Sequence, residues 1–574
     1  MFWKRPLGLG HQYFMTRSHR RRQITAWYTS ATLRQETIMI TRRGFITTTT
    51  AAVAASTILA PQASRRARAQ APKRGGTLRL LQIEPAIGFN PALEGTNWPE
   101  TMRMVYNGLT DFNEKAELVP GIARSWAASE DADTFTFRLT PGVQFHDGKE
   151  CTADDVRFTY EMIADSKVAS PMSVYVANLK SIDVPDKHTV TLRFNGPNVL
   201  MMPGVSAMGI LPKHLWTGGD PRQSRYLAQP IGTGPFKLTE WQRGDHLTFA
   251  ANRDYFRKGR PYLDQAIFKV VSDAATGIQS FRNGELDAVL SQGVPGGLPY
   301  ALVRQIVDAK PANLAFNEFV QAFSQILWMN CAAPPFDNPK VRRAIAHAIN
   351  KDLIVKALLQ GFGRAQDSII GNFPSMQWAH DPAIKSEYNP ARAGQLLDEA
   401  GYPKKAGGRF KITILATEGF RVKLSEALRA MFAAVGIESN IQSSTWAPYI
   451  GRIRQDRDTA GMLWTIFIPR QVDPSLILDY LNAKNAKPGG SNYSQWTHPR
   501  ATELIDAARA TGNQDKRKAM YLDVQKIVAD EAPVIPLYSA LGVDMWQRSV
   551  EGLHSIDSLT GTLTSIDTVW LNRS

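Results

Sequence analysis

Residues that could carry out catalysis or bind a metal are few in this 574-residue chain, and they are scattered. His146 and Asp147, within the run Phe145–Gly148, are the pair that most invites a catalytic or metal-binding interpretation. No second ligand follows at the spacing of a metal site, so a turn with a hydrogen-bonded histidine is the favoured interpretation. No metalloenzyme helix motif, phosphate loop or nucleophile elbow is present. The sequence therefore predicts no catalytic centre, no bound cofactor and no metal site.

The net charge of +15 is concentrated at the N-terminus. Residues 1–71 hold twelve Lys and Arg against one acid, Glu36, which accounts for +11 and leaves the rest of the chain close to balanced. A polyanionic partner would need a basic surface on the folded body. The distribution therefore argues against nucleic acid as a partner.

The N-terminal excess has the pattern of an export signal. Thr41–Ile46 reads TRRGFI, a twin-arginine motif, and the apolar stretch Phe45–Ala60 that overlaps it is too short for an ordinary bilayer span. Ala69–Ala71 offers small residues for cleavage. We expect a twin-arginine signal peptide over residues 39–71 and an over-extended N-terminus over residues 1–38. The alternative is a basic leader without an export role.

Cysteine usage agrees with export without defining a site. Cys151 and Cys331 are the two cysteines, 180 positions apart, and neither lies near the cleavage point where a lipoprotein anchor belongs. Each has apolar neighbours, which predicts two independent buried thiols rather than a disulfide. The protein is therefore expected not to be a lipoprotein.

The elements that organise the chain are clearest between residues 325 and 361. A short apolar strand over 326–330 leads through a Pro-rich loop to Asn338, a predicted helix N-cap followed by Pro339. A one-faced helix follows, Asn350 and Asp352 break and restart it, and Gly361 supplies a left-handed stop. Arg342 and Arg343 are interpreted as a solvated helix face.

Two further patterns define the first half of the body. Phe135, Phe137 and Leu139 alternate with polar residues, which predicts a half-buried strand. Thr152 and Asp155 form a predicted capping box ahead of a helix.

Several of these stretches, in this order along the chain, resemble the extracellular solute-binding proteins of family 5, which serve bacterial peptide and nickel importers. The stretches are Phe145–Gly148 with Thr152–Val156, Pro230–Phe236, Trp328–Asn330, Pro335–Asp337 with Val341–Ile349, and Pro533–Tyr538. The resemblance spans about residues 75–540. It implies an α/β fold of two lobes, the type II periplasmic binding protein in its large peptide-binding subclass, with an extra inserted small domain.

The resemblance also implies a domain division. Lobe I is expected to be discontinuous, over residues 75–110, 205–325 and 535–574. A small domain over 111–204 is inserted in it, and residues 326–534 form lobe II.

Ligand contacts are expected within Thr445–Pro474. In oligopeptide-binding relatives the position of Trp446 stacks on the ligand, and the position three after Trp464 is an aspartate that receives the ligand's α-ammonium group. Here that position is Phe467, which removes the anchor for a free N-terminus. Asp473 could replace that aspartate or could cap the helix that begins at Pro474. Trp464 and Phe467 are expected to join Trp446 in a cleft that grips planar or apolar surface of the ligand. The other expected ligand-binding residues are Tyr449, Arg452 and Arg454, and either arginine could meet a carboxylate.

The function implied is non-catalytic capture of a peptide or peptide-like solute and its delivery to the membrane permease of an ABC importer. The protein is expected to be periplasmic, soluble and monomeric. Two alternatives stay open at this point: a periplasmic enzyme exported with a bound cofactor, and a periplasmic peptide-binding chaperone.

Overall fold

The structure is a computed structural model, and it describes residues 71–83, 86, 88–94, 99–113, 115, 117–290, 298–322, 324–468, 472–558, 561–563 and 566–573. At Pro99, Phe467, 555–558 and 561–563 only the backbone is described. The predicted over-extended start and all but the last residue of the predicted signal peptide lie outside these residues.

The first part of the chain contains eleven strands and six helices among the residues described. The strands are β1 (Thr77–Gln82), β2 (Thr110–Phe112), β3 (Leu118–Pro120), β4 (Ala123–Ala128), β5 (Thr134–Leu139), β6 (Leu179–Asp186), β7 (Thr189–Phe194), β8 (Phe236–Gln242), β9 (His246–Ala251), β10 (Gln265–Val270) and β11 (Ala288–Val289). The helices are α1 (Pro91–Glu94), α2 (Pro99–Val105), α3 (Ala153–Ala164), α4 (Met201–Gly204), α5 (Lys213–Trp216) and α6 (Ala274–Arg282).

The remaining elements follow in the same way. The strands are β12 (Leu314–Val320), β13 (Ser324–Met329), β14 (Gly363–Ala365), β15 (Phe410–Thr417), β16 (Ile437–Ser444), β17 (Met462–Ile468), β18 (Val534–Gln547), β19 (Val550–Glu551), β20 (Ser555–Ser558), β21 (Gly561–Leu563) and β22 (Trp570–Leu571). The helices are α7 (Tyr300–Ala309), α8 (Pro339–Ala348), α9 (Lys351–Leu358), α10 (Pro390–Glu399), α11 (Phe420–Ala434), α12 (Trp446–Gly451), α13 (Pro474–Leu478), α14 (Pro499–Arg509) and α15 (Gln514–Glu531).

One mixed sheet runs through the molecule in the order β16-β15-β17-β13-β18-β11-β1-β10-β9-β8, with β12 and β14 also paired to β18. Strands β15, β16 and β17 are parallel to one another, and β13 is antiparallel to both of its neighbours. All six residues of β13 are buried, as expected for a strand at the centre of a sheet covered on both faces.

Strand β18 joins the two halves of this sheet. Its first residues pair with β13, where Trp328 lies opposite Val534, and its later residues pair with β12, where Val320 lies opposite Leu541. The C-terminal tail returns to the first half, because Arg573 forms an ion pair with Asp287 and donates to the Thr77 carbonyl oxygen. The division into lobes at the boundaries given above stays a prediction.

A separate antiparallel sheet, in the order β4-β5-β7-β6, lies within residues 123–194 with α3 beside it. Phe135, Phe137 and Leu139 of β5 are buried, and their alternation with more exposed residues confirms the predicted half-buried strand. The capping box is also confirmed, since Thr152 and Asp155 satisfy each other's backbone N–H groups at the start of α3.

The local predictions around α8 are confirmed in detail. The Asn338 side chain accepts a hydrogen bond from the Lys340 backbone N–H, with Pro339 in the first turn. Asn350 caps α9 by accepting from the Leu353 N–H. Gly361 has φ +82°, the left-handed region that glycine tolerates best.

The solvated face predicted for Arg342 is wrong. Its side chain is 3% exposed and forms an ion pair with Glu531 at 2.9 Å. The guanidinium also donates to the carbonyl oxygens of Phe336, Asp337 and Glu531. Arg342 therefore joins α8 to the end of α15 and to the loop before α8, and the ion pair and carbonyl contacts compensate the cost of burying its charge.

The two cysteines are not linked, which confirms the prediction of independent thiols. Cys151 is fully buried and Cys331 is half-buried. Within the described residues, no helix combines the length and the apolar character that crossing a bilayer requires.

Candidate ligand-binding site

The carboxyl ends of three parallel strands meet at one edge of the sheet. In this part of the sheet Thr417 lies opposite Ser444, and Leu415 lies opposite Trp464. The antiparallel neighbour β13 begins at the same edge, because Ser324 pairs with Ile468. Open α/β sheets bind ligands outside the carboxyl ends of their strands. This edge is therefore the candidate site.

Trp446 begins helix α12, directly after β16, and its side chain is 49% exposed. Its ring centroid lies 5.7 Å from that of Tyr449, and the Arg421 guanidinium carbon lies 5.4 Å from the indole centroid. An exposed indole supported on one side by another aromatic ring can stack on a planar or apolar group of a ligand.

Tyr449 is buried and holds α12 against the sheet. Its hydroxyl donates to the Thr465 carbonyl oxygen of β17 at 2.8 Å. Burial raises the pKa of Tyr449, and the nearby positive charge of Arg421 acts in the opposite direction. Tyr449 therefore supports the position of Trp446, and its direct contact with a ligand stays a prediction.

Arg421 was not among the expected site residues. It lies in the first turn of α11, close behind the end of β15, and its charge also acts on the pKa of Tyr538, which burial raises. Together Arg421, Trp446, Tyr449 and Tyr538 form what we call the Arg421 cluster. The sequence did carry a signal for Arg421. A cation in the first turn of a helix interacts unfavourably with the helix dipole, so its presence there indicates a role other than stabilising the helix.

Arg452 and Arg454, the arginines expected to meet a carboxylate, are held by other partners. They lie in a π-helical turn after α12. Arg452 bonds to Asp458 and to the Gln442 side chain, and Arg454 donates to the Gly489 carbonyl oxygen at 2.8 Å. Their contact with a ligand stays a prediction. Arg421, the arginine beside Trp446, donates to the Thr417 hydroxyl at 3.1 Å.

Trp464 is fully buried within β17, in a core cluster that also contains Trp328, its partner across the β13–β17 ladder. The Phe467 side chain lies outside what the structure describes, although its backbone pairs with Gln325 of β13. Ligand contact by either residue stays a prediction.

Asp473 is 5% exposed, and its carboxylate is fully engaged by its own chain. One oxygen caps α13 by accepting from the Ser475 N–H and hydroxyl, which confirms the capping interpretation. Both oxygens lie within 2.7 Å of an Arg517 nitrogen, and that guanidinium also donates to the Tyr521 hydroxyl. The cation that Asp473 meets is thus Arg517, and these contacts disfavour its contact with a ligand.

Three buried polar atoms lie on one face of the adjacent strands β17, β13 and β18. They are the Gln325 side-chain nitrogen, the Thr465 hydroxyl and the Tyr538 hydroxyl, and none has a hydrogen-bond partner within the described part of the chain. Gln325 lies opposite Tyr538, and Thr465 shares its face because strand side chains alternate with period two. Buried polar groups are ordinarily hydrogen-bonded, so these atoms are candidates for contact with a polar ligand or with water.

The turn at His146 carries no metal-binding cluster. Its Nε2–H donates to the Gly234 carbonyl oxygen at 3.0 Å, which confirms the turn interpretation, and the Asp147 carboxylate lies 2.6 Å from His214. Burial lowers the pKa of His146 to about 4. Among the described residues, no group of three or more His, Cys, Asp or Glu side chains is arranged to hold a metal ion.

Comparison with known proteins decides the family. The profile of the bacterial extracellular solute-binding proteins of family 5 (middle region) matches residues 117–489. The chain belongs to this family. Its members are binding proteins, and the predicted resemblance is confirmed.

Two relatives named for different ligands are equally similar to this chain. The chain is 29% identical over 501 residues to heme-binding protein A of Haemophilus influenzae, covering 81% of this chain and 87% of that protein. It is 29% identical over 500 residues to the dipeptide-binding protein of Escherichia coli, covering 81% and 89%.

A solved relative has the same fold. The periplasmic binding protein DppA of Helicobacter pylori, in complex with the peptide STSA, superposes with a TM-score of 0.72 at 26% identity, covering 87% of this chain and 99% of that one. The predicted fold class, a two-lobed α/β periplasmic binding protein with an inserted small domain, is confirmed.

Proposed function

We propose that this protein captures a peptide or peptide-like solute outside the cytoplasmic membrane and delivers it to the permease of an ABC importer. Family membership supports a binding protein, and the dipeptide-binding relative and the peptide complex of the Helicobacter protein support the ligand class. The proposal assigns the chain no reaction of its own.

The observation that carries the proposal is the position of the Arg421 cluster. It lies at the carboxyl edge of β15, β16 and β17, close to the start of β13 and to the middle of β18. An exposed indole beside a guanidinium suits a ligand that presents a flat or apolar group next to a carboxylate. Both features occur together in peptides and in many peptide-like solutes.

Delivery requires that the permease distinguish the loaded protein from the empty one. We propose that lobe I (75–110, 205–325 and 535–574, with the small domain 111–204 inserted) and lobe II (326–534) close on the solute. With these bounds the chain passes between the lobes within β13, between Gln325 and Ile326, and within β18, between Val534 and Ile535. A ligand that contacts both lobes stabilises the closed state and gives the permease a distinct surface to recognise.

We further propose export to the periplasm by the twin-arginine route and action as a monomer. The motif Thr41–Ile46 and the alanines at 69 and 71 support this route. N-terminal sequencing of the periplasmic protein tests it, with a start near residue 72 expected. Substituting both Arg42 and Arg43 with Lys is expected to abolish export.

The central experiment combines identification of the ligand with a measurement of closure. The protein is purified from the periplasm, its bound solute is identified by native mass spectrometry, and that solute is titrated into ligand-free protein during small-angle X-ray scattering. We expect a peptide-like mass and a decrease in the radius of gyration, with weaker binding in Trp446→Ala. Scattering that no candidate ligand changes, together with a visible cofactor spectrum, would instead support the enzyme alternative. Protection of an unfolded protein from aggregation without closure would support the chaperone alternative.

A further inference from the structure

A cavity that shares no lining residue with the Arg421 cluster lies against the start of β18. It has a volume of about 110 Å³ and lies among the end of α8, the first residue of α9, the end of α15 and residues 534–536. The loops 367–369 and 384–386 complete its wall. A single water needs only about 10–15 Å³ of cavity volume, so this space admits a small polyatomic ion.

The innermost charged group of the cavity is Lys351. Its side chain is 5% exposed, and its ammonium donates to the Gln366 carbonyl oxygen at 2.8 Å. The nearest carboxylate, that of Asp367, is 3.9 Å away, beyond hydrogen-bond distance. An ammonium carries three donors, and one of them is engaged here at hydrogen-bond distance. Burial lowers the pKa of Lys351 to about 8, and the charges of Asp367 and Asp352 act in the opposite direction.

A second cation lines the same cavity. Arg343 has no carboxylate partner in the described part of the chain, and its buried Nε has no hydrogen-bond partner there. Lys385 adds a third positive charge, and Asp367 is the acid among the lining residues. With His347 neutral, the walls carry a net charge of +2. This contrasts with Arg342, the adjacent residue, whose guanidinium meets Glu531 and three carbonyl oxygens.

We propose that this cavity binds a small dianion, a tetrahedral oxyanion such as phosphate or a short dicarboxylate, between Arg343 and Lys351. Such an ion would supply the acceptors that the two cations lack, through charge-assisted hydrogen bonds. The site is separate from the solute site and does not depend on the proposed function.

The cavity is connected to the strand that joins the two halves of the sheet. Gln366, whose carbonyl oxygen receives the Lys351 ammonium, donates its backbone N–H to the Leu537 carbonyl oxygen of β18. Residues 534–536 of β18 form part of the cavity wall. A bound anion would therefore brace this end of β18, and its effect should appear in the stability of the whole protein.

The test uses calorimetric titration and thermal unfolding of the purified protein with phosphate, and separately with succinate. Sodium chloride keeps the ionic strength constant, which removes general screening effects. We expect saturable binding of at least one dianion and a rise in Tm. Tighter binding of phosphate would identify the ligand of the cavity as a tetrahedral oxyanion, and tighter binding of succinate would identify it as a dicarboxylate. Failure of both ions to bind at constant ionic strength would overturn the proposal.

Variants locate the site. Arg343→Gln is expected to weaken dianion binding by about 10- to 100-fold, the range for losing hydrogen bonds to a charged group. Lys351→Met tests whether the second cation binds the anion. If Lys351→Met does not fold, the result with Arg343→Gln alone decides whether the anion binds in this cavity. Lys356→Gln, on the exposed side of the same helix α9, is the matched control and should bind like the wild type. Binding that survives Arg343→Gln and is lost in Arg421→Gln would place the anion at the solute site and overturn the proposal.

Discussion

Two arginine–aromatic groups of this protein resemble each other in composition and differ in their surroundings. In the first, Arg517 meets Asp473, both side chains being 7% exposed, and its guanidinium also lies against Tyr521 and Trp378. In the second, Arg421 lies 5.4 Å from an indole that is half exposed. The charged groups of the first are buried and paired with each other, whereas the second exposes its indole ring to solvent.

The difference shows why the acid that is most attractive in the sequence is a poor candidate for ligand binding. A buried carboxylate is tolerated only when its acceptors are filled, and Arg517 and Ser475 fill those of Asp473. An incoming ammonium would have to displace an arginine that would itself stay buried. Ligand binding is therefore expected at the Arg421 cluster, whereas the Asp473–Arg517 pair is expected to contribute to the stability of the fold.

The largest effect is expected from breaking the buried pair. Asp473→Asn keeps a capping oxygen and leaves the Arg517 charge buried without a counterion, which should lower the free energy of unfolding by about 3–5 kcal/mol. Urea denaturation measures it. Asp523→Asn, on the same helix as Arg517, is the control: it removes an exposed ion pair with Lys526 and should cost less than about 1 kcal/mol. Equal losses in the two variants would contradict the contrast drawn above.

His146 is a second buried group that should affect stability rather than ligand binding, and its effect should depend on pH. Its pKa is lowered by burial to about 4 in the folded protein and is ordinary, about 6.5, in the unfolded chain. Between these values the unfolded state binds more protons, so stability present above pH 6.5 is lost as the pH falls toward 4. The shift corresponds to about 3 kcal/mol.

Denaturation of the wild type and His146→Gln at pH 7 and pH 4.5 measures this effect. The variant should lose less stability on acidification, since the carboxylates common to both proteins cancel in the difference. An identical acid-dependent loss in the two proteins would show that His146 can be protonated without unfolding.

At the exposed group the effect is expected on binding rather than on stability. Trp446→Ala should weaken solute binding by about 1–2 kcal/mol, as for an aromatic anchor, and change the free energy of unfolding by less than about 1 kcal/mol. Calorimetry with the copurified solute measures the first quantity and urea denaturation the second. Tyr388→Ala, which removes another exposed aromatic ring, should leave affinity unchanged. A Trp446 variant that loses stability and keeps affinity would identify the indole as a packing residue.

Features set by neighbouring residues could be predicted from the sequence. The Asn338 and Asn350 caps and the Thr152–Asp155 capping box depend on side chains and backbone groups within three residues of each other. Their geometry is nearly independent of the rest of the fold, so residue type and spacing suffice.

The partners of buried charges could not be predicted in the same way. Arg517 lies 44 residues from Asp473, and Glu531 lies 189 residues from Arg342. A periodic pattern shows which face of α8 is apolar and does not show that a later helix brings a carboxylate to its polar edge. For the same reason Arg421 was missed as a neighbour of Trp446, because strands β15 and β16 must first be placed side by side.

The smallest effect is expected from blocking the amine of the ligand. Phe467 is predicted to stand where peptide-binding relatives carry an ammonium-binding aspartate, and Asp473 is occupied by Arg517. N-acetylation of a bound peptide should therefore change its affinity by less than about fivefold, since an exposed acid in water contributes only about 1 kcal/mol or less. Paired calorimetric titrations of the free and acetylated peptides measure it.

The exposed Glu418, after the end of β15, is the acid that could contradict this expectation. If acetylation weakens binding tenfold or more and Glu418→Gln reproduces the loss with the free amine, Glu418 holds the ammonium group. If acetylation abolishes binding and Glu418→Gln has no effect, the amine is held by another acid. The Arg421 cluster would then recognise only the other end of the ligand.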